Sequence, residues 1–200
     1  MARGVKARWH KDRPRTAEEN GSVLAAVGYK GAIQSIQRLL GADFALESDA
    51  RRFSILAELL AFQVQMADRL AYLQVDEISR RRLINAMGQH LARLYDENRH
   101  EMEIRETASD PEARRRFIEA LNGCLVEYAE LAFEEDGKPG YSALRYFAAR
   151  LADIVQPEDK RWMVESIVDV EAPRVVDNLL KGWRLLYPRE ASADEGTSPS

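Results

Sequence analysis

Cysteine and long apolar runs are what this sequence has least of. The 200 residues include one cysteine, Cys124, so an internal disulfide is excluded, as is usual in a reducing cytosol. No apolar run approaches the roughly 18 residues that a membrane span needs. The basic start of the chain is not followed by the apolar segment of a secretory signal. We therefore expect a cytoplasmic protein.

Catalytic and nucleotide-binding motifs are missing as well. Gly28 and Gly31 form neither a phosphate loop nor a dinucleotide fingerprint, and no strand precedes them. The sequence shows no Ser-His-Asp pattern and no Cys-x-x-Cys pair. An enzymatic function therefore has no specific support, and we expect a non-catalytic protein without a cofactor.

The charge is distributed unevenly along the chain. Residues 1–15 carry six cations against Asp12, whereas the whole chain has a net charge of −4. The acidic remainder disfavours broad nucleic-acid binding, because phosphate contacts need clustered Lys and Arg. We expect residues 1–15 to form a disordered basic arm and residues 188–200 a disordered acidic tail. The candidates for contacts with nucleic acid or an acidic partner are Arg3, Lys6, Arg8, Lys11, Arg13 and Arg15.

Helical patterns account for most of residues 16–187. Thr16 and Glu19 have the spacing of a capping box, and Asp110-Pro111-Glu112 is a typical helix start. The helix that follows is predicted to end at Asp136–Gly137, and Pro157 and Pro173 open two more. No segment reads as a strand. The sequence predicts an all-α, single-domain, irregular antiparallel bundle of six to seven helices.

The first helix, predicted to run from Thr16 to about Leu40, has an unusual stripe of small residues. Each glycine costs a helix interior roughly 1 kcal/mol relative to alanine. Close approach of another helix would compensate for that cost, so we expect the stripe to be a packing surface. Its members are Gly21, Ala25, Gly28, Ala32 and Ser35.

The helix predicted over residues 48–74 is apolar around most of its circumference. The apolar phase shifts after Gln74, which predicts a break near Val75–Asp76 with Asp76 as N-cap. Its polar positions form one narrow stripe: Ser54, Glu58, Gln65, Arg69 and Tyr72. Such a helix is either the centre of the bundle or part of a homodimer interface. The candidate partner-binding residues are Phe53, Leu56, Leu60, Phe62 and Met66.

Two arginine triplets, residues 80–82 and 114–116, could bind phosphate or carboxylate ligands. An antiparallel pair of the third and fourth helices explains them without a ligand. The first triplet would then face acids at 130 and 134–136, and the second would face Glu101, Glu103 and Glu106. We favour this structural explanation.

Glu97-x-x-His100 matches half of the di-iron motif of helical bundles, and these two residues are the weak candidates for a metal site. A complete site needs a second such motif, which the sequence lacks, so we expect no metal. His90 lies beside an apolar stripe and is expected at the edge of the core. Glu58 is the best carboxylate candidate if its helix is central, and Cys124 is expected to be a buried, inert thiol.

Gly28-Tyr29-Lys30-Gly31 resembles the start of the DNA-reading head of tetracycline-repressor-type regulators, although no recognition helix follows Leu40–Phe44. The resemblance implies a ligand-responsive DNA-binding regulator of all-helical type. The function that the sequence favours is a non-catalytic protein-interaction or adaptor protein that self-associates as a homodimer. The regulator and a metal-binding helical bundle are the alternatives.

Overall fold

The computed structural model describes residues 14–42, 48–102 and 111–188, and most of these are helical. The predicted all-α bundle of six to seven helices is confirmed, and none of the described helices has both the length and the apolar character needed to cross a bilayer. The described α-helices are α1 (Ala17–Gly41), α2 (Asp49–Gln74), α3 (Glu77–Met102), α4 (Pro111–Ala129), α5 (Tyr141–Ala152), α6 (Lys160–Ser166) and α7 (Ala172–Leu186).

The predicted arm and tail fall mainly outside the described residues. Residues 1–13 and 189–200 are not among them, so the disorder expected at 1–15 and 188–200 stays a prediction. Pro14, Arg15 and Pro188 are described, and all three are exposed and non-helical.

The first helix begins and ends as predicted. The Thr16 hydroxyl accepts from the backbone N–H of Glu19 at 3.2 Å, and the Glu19 carboxylate accepts from the backbone N–H of Thr16 at 2.8 Å. The small-residue stripe is buried. Gly21 lies against the α3 backbone, and Gly28 lies against the side chain of Gln63 in α2. Both close approaches require the absence of a side chain, which explains glycine inside a helix.

This continuous helix does not have the local structure that the regulator resemblance implies at Gly28–Gly31. Gly28 and Gly31 lie in the middle of α1, with no turn on either side, and both are buried. The turn that opens a DNA-reading head is therefore not formed at these residues.

The second helix is the centre of the bundle, because α1, α3, α4, α5 and α7 all pack against it. The candidate partner-binding residues are consequently interior and at most 5% exposed: Phe53, Leu56, Leu60, Phe62 and Met66. The prediction that they bind a partner is corrected for Leu56, Leu60, Phe62 and Met66, which belong to the core of the same chain, whereas the edge of Phe53 also lines the cleft described below. Burial of such side chains contributes roughly 1.5–3 kcal/mol each to folding.

The break between α2 and α3 occurs where the change of phase predicts it. Val75 ends α2, and Asp76 caps α3 by accepting from the backbone N–H groups of Ile78 and Ser79, both at 3.0 Å.

The predicted antiparallel pairing of α3 with α4 is also present. Tyr95 stacks on Phe117 at a centroid separation of 4.7 Å.

The partners predicted for the arginine triplets are wrong where the structure describes them. Arg80 forms a two-pronged ion pair with Asp68 of α2, with both N···O distances at 2.8 Å. Arg114 pairs with the buried carboxylate of Asp96 at 3.0 Å. The short turn between α2 and α3 folds the two helices back on each other. Asp68 of α2 therefore lies nearer to Arg80 than the acidic residues that follow α4.

Arg115 and Arg116 pair within α4 through Glu112. Of their predicted partners, Glu103 and Glu106 lie outside the described residues, as does the side chain of Glu101.

The fourth helix begins at Pro111 as predicted but ends at Ala129, before the predicted stop at Asp136–Gly137. Arg69 of α2 donates to the carbonyl of Ala129 at 2.9 Å, which satisfies one of the acceptors at the helix end. The guanidinium also lies 5.3 Å from the ring centre of Phe133 in the following loop. A distant side chain therefore stabilises the end of α4.

The chain from Pro157 to Leu186 is helical throughout, but it widens into a π-helical turn over Ile167–Glu171 between α6 and α7. Pro173 has no N–H to donate to the carbonyl of Asp169, and its ring displaces that carbonyl. The turn carries the buried carboxylate of Glu171, which Arg38 of α1 binds at 2.7 and 2.8 Å. This ion pair joins α1 to the π-helical turn that precedes α7.

The close contact at Gly21 leads to a stability prediction. In Gly21→Ala the added Cβ would lie 2.3 Å from the backbone oxygen of Leu83, so α1 and α3 must separate. Because the Cβ meets backbone, overpacking should cost about 2–3 kcal/mol. Helix propensity returns roughly 1 kcal/mol, so we expect the free energy of unfolding to fall by about 1–2 kcal/mol in total.

The matched control is Gly123→Ala in α4, because a Cβ there meets no atom within 4 Å. This variant should gain about 0.5–1 kcal/mol. Urea unfolding followed by circular dichroism measures both changes. Equal stabilisation of the two variants would show that α1 and α3 are not in backbone contact.

Candidate functional site

The α4 and α5 helices both pack on α2, and a cleft of about 670 Å³ separates them. Its floor is the face of α2 that carries Ala50, Ser54 and Ala57. These positions follow at i, i+4 and i+7, so they lie on one side of the helix. Ser54 belongs to the stripe of α2 that the sequence marks as polar, and the described part of the bundle leaves Ala50 and Ser54 exposed.

Three aromatic side chains line the outer part of the cleft and hold its shape. Phe53 of α2 meets Tyr95 of α3 edge-to-face at 5.7 Å, and Tyr95 stacks on Phe117 of α4. Phe53 and Phe117 are 5% and 3% exposed, so they present only their edges to the cleft. The wall is therefore rigid and apolar.

A buried ion pair lies at the inner end of the cleft. Arg150 of α5 donates from Nε and Nη2 to the two carboxylate oxygens of Glu58 of α2, at 2.5 and 3.0 Å. Nη2 also lies 3.4 Å from the Sγ of Cys124 of α4. Three helices therefore meet at one guanidinium. Hydrogen bonding to Glu58 raises the pKa of Arg150, so this cation persists at any physiological pH.

A second carboxylate near the inner end of the cleft also binds Arg150. Glu127 of α4 accepts from Nη1 of Arg150 at 2.7 Å and from the hydroxyl of Tyr146 of α5. We call Glu127, Tyr146 and Arg150 the strap, because they join α4 to α5 across the cleft. An inner chamber of about 250 Å³ lies beside it, lined in part by Ala61 and Cys124.

Burial determines the chemistry of the two neutral groups near the strap. Desolvation, with a smaller contribution from the charge of Glu58, raises the pKa of Cys124 to about 11. Desolvation also raises the pKa of Tyr128, which is fully buried one helical turn beyond Cys124. Both groups are therefore protonated at neutral pH. Neither is a nucleophile under those conditions.

The structure places Glu58 and Cys124 at the cleft but puts His90 elsewhere. His90 is partly buried on α3, and its Nδ1 accepts from Arg93 at 3.1 Å. Desolvation and the positive charge of Arg93 lower the pKa of His90, so its ring is neutral at pH 7. It is not among the residues that line the cleft.

The other predicted site residues are not brought together. Glu97 is exposed on α3, and the side chain of His100 lies outside the described residues. No group of three potential metal ligands occurs in the described part of the chain. Of the six basic candidates of the arm, Arg15 alone is described, and Arg3, Lys6, Arg8, Lys11 and Arg13 are not.

Sequence reasoning missed Arg150, Glu127 and Tyr146. One signal was present. A carboxylate at Glu58, on an otherwise apolar central helix, needs a cation to be buried. Arg150 lies two and three residues after the buried Ala148 and Phe147, so its side chain can approach the core. What the sequence lacks is any sign that these two positions, 92 residues apart, meet.

No protein-family model matches this chain, and no curated protein or solved structure matches it either. The functional argument therefore depends on the cleft, the ion pair beneath it and the strap.

The Glu58–Arg150 pair predicts a large effect of removing one partner. In Arg150→Met the Glu58 carboxylate stays 7% exposed and loses its cation. We expect the free energy of unfolding to fall by about 2–3 kcal/mol, below the range for fully buried pairs because Arg150 is 34% exposed.

The double variant Glu58→Met/Arg150→Met removes both charges and should recover most of that loss. Urea unfolding of the two single variants and the double variant gives the coupling energy. A double variant as unstable as the sum of the singles would rule out a buried ion pair.

The raised pKa of Cys124 predicts a pH dependence. The folded protein keeps a proton that the unfolded chain loses from about pH 9, where the thiol normally titrates. The thiol's contribution is therefore complete below pH 9 and is lost as the pH rises to about 11, by up to about 3 kcal/mol. Unfolding curves should show a steeper decline for the wild type than for Cys124→Ala. Parallel declines would show an ordinary, exposed thiol.

Proposed function

We propose that this protein is a non-catalytic protein-interaction protein that binds one helix of a partner in the cleft between α2, α4 and α5. One observation carries the proposal: α4 and α5 both pack on the central helix yet leave its Ala50–Ala57 face uncovered. Elsewhere along residues 55–71, most side chains of α2 are buried against other helices of the same chain. A helix from outside would complete the bundle.

The dimensions of the cleft support a helical occupant. The floor from Ala50 to Ala57 covers eight residues of α2, about 11 Å at 1.5 Å per residue, which accommodates roughly two helical turns. Small side chains let a second helix approach to the short end of the usual interaxial range of about 8–10 Å. Apolar grooves of this kind bind the apolar face of an amphipathic helix. The aromatic edges of Phe53 and Phe117 offer such a face a matching surface.

The charged groups favour binding over catalysis. Glu58 is engaged by two donors of Arg150, which leaves it poorly placed to take a proton from a substrate. Cys124 stays a thiol at neutral pH. An ion pair held in this way can instead fix α2, α4 and α5 at the distances that a docked helix needs.

For the cellular compartment and for self-association, the proposal rests on the sequence. We infer a cytoplasmic protein from its single cysteine. Self-association also remains a proposal, now without a contribution from the buried face of α2. Light scattering at high micromolar concentration tests it, and a mass of one chain would exclude a homodimer.

Filling the cleft should abolish partner binding. Ala57 and Ala120 line opposite sides of it, and Trp at either position would occupy the space of the docked helix. Tagged wild type, Ala57→Trp and Ala120→Trp are expressed in cells that make the native protein, cross-linked and purified, and the captured proteins are quantified. We expect at least a tenfold loss of the specific partner in both variants.

The control is Ala26→Trp, at an exposed position of α1 away from the cleft. It should capture the partner as the wild type does, and circular dichroism should show all four proteins equally folded. The same partners at the same levels in every sample would exclude the cleft as the binding site. Capture of no protein by the wild type would contradict the interaction function itself.

A further inference from the structure

The inner chamber adjoins the cleft along α2 and α4. Ala57 and Ala120 line both spaces, one from each helix. Ala61 and Gly123 line the chamber but not the cleft. They follow Ala57 and Ala120 by four and three residues, so the chamber lies about one helical turn further along both helices. A helix on the floor of the cleft can therefore extend one side chain into the chamber.

Small side chains on both helices leave room in the chamber. Ala57 and Ala61 share one face of α2, and Ala120 and Gly123 share one face of α4, because each pair lies three or four residues apart. A Cβ added at Gly123 would meet no atom within 4 Å. The α4 backbone thus borders open space at this position, and a side chain from outside the bundle can occupy it.

The chamber has the size of one aromatic side chain. Its volume is about 250 Å³. An apolar cavity of roughly 150 Å³ is enough to hold a benzene ring. The ring of a Phe, Tyr or Trp side chain therefore fits, whereas an Ala side chain of the docked helix would leave most of the chamber empty.

The charged groups that line the chamber are already engaged with one another. Arg150 donates from Nε and Nη2 to Glu58 and from Nη1 to Glu127. An acidic side chain would meet both carboxylates, and a basic side chain would lose its water beside Arg150. The thiol of Cys124 is protonated at neutral pH and behaves as a small apolar group. These groups therefore favour an uncharged occupant.

Arg150 favours an aromatic occupant over an aliphatic one of similar size. It lines the chamber, and the negative face of an aromatic ring attracts a cation within about 6 Å of the ring centre. This attraction uses the charge of the guanidinium and needs no unpaired N–H group. Arg150 already lies 5.9 Å from the ring centre of Tyr146 while it donates to Glu58. A Leu side chain gains no such attraction.

We propose that the helix docked in the cleft binds through one aromatic side chain, the anchor, which fills the inner chamber between α2 and α4. The inference rests on the proposed function and adds the chemistry of the residue that supplies most of the partner's affinity. Aromatic side chains in well-packed pockets dominate the binding energy of many interfaces. The Ala50–Ala57 floor accommodates the smaller residues on either side of the anchor.

Four synthetic helical peptides of equal length test the anchor. They share an apolar face of Ala and differ at its central position, which holds Ala, Leu, Phe or Lys. Labelled peptides are titrated with the wild type, and fluorescence anisotropy gives their affinities. We expect the Phe peptide to bind about tenfold more tightly than the Ala peptide and about threefold more tightly than the Leu peptide.

Variants of Gly123 test whether the ring lies in the chamber. The Cβ of Gly123→Leu or Gly123→Trp meets no atom of the protein, and the rest of the side chain can enter the chamber. Both variants should reduce the preference for Phe over Ala to less than about twofold. The matched controls are Gly41→Leu and Gly41→Trp, because Gly41 also has no atom within 4 Å of an added Cβ and lines neither space. The controls should keep the full preference, and circular dichroism should show all five proteins equally folded.

Several outcomes would overturn the inference. Equal affinity of the four peptides, no binding of any of them, or tightest binding of the Leu or Lys peptide would exclude an aromatic anchor. A preference for Phe that survives both Gly123 variants would place the ring outside the chamber. Binding of free indole, lost in Gly123→Trp and without a preference for Phe among the peptides, would assign the chamber to a small aromatic molecule instead.

The failure of the anchor is distinguishable from the failure of the proposed function. If capture of the partner from cells still depends on Ala57 and Ala120, the proposed function stands and the partner binds without an aromatic anchor. If capture does not depend on these two residues, the proposed function itself fails.

Discussion

The need to enclose α2 governs the structure. This helix is apolar around most of its surface, and each of its large side chains contributes roughly 1.5–3 kcal/mol when it leaves water. Five other helices therefore pack around it. The enclosing helices leave α2 open at Ser54 and its neighbours. These side chains are polar or small, so covering them would contribute little to the free energy of folding. The cleft is the part of the shell that residues 14–42, 48–102 and 111–188 leave open.

Two buried carboxylates fix how the shell closes. Glu58 on α2 draws Arg150 from α5, and Glu171 on the π-helical turn draws Arg38 from α1. Replacement of such pairs by apolar residues is often neutral, so their contribution is chiefly geometric: a two-pronged contact allows one register and excludes its neighbours. The first pair also places α4 and α5 at the width of the cleft, through the strap at Glu127.

Local signals in the sequence were reliable guides to where helices begin. Thr16, Asp76 and Pro111 act within one turn of themselves, so their effect depends little on the rest of the fold. The end of α4 was misplaced, and the contact that stabilises it comes from Arg69, 60 residues earlier, which binds the carbonyl of Ala129. The partner of Arg80 was wrong for the same reason, since Asp68 became its neighbour only when α2 and α3 folded back on each other.

The sequence by itself determined the helical class, the apolar character of residues 48–74 around most of the helix and the position of Glu58 on it, because periodicity and an isolated charge on an apolar helix are properties of neighbouring residues. Only the tertiary structure decided that Arg150 completes the ion pair, that Cys124 lies beside it and that a cleft separates α4 from α5. These depend on which helices meet across long stretches of chain, and helical periodicity specifies a face to be covered without specifying what covers it.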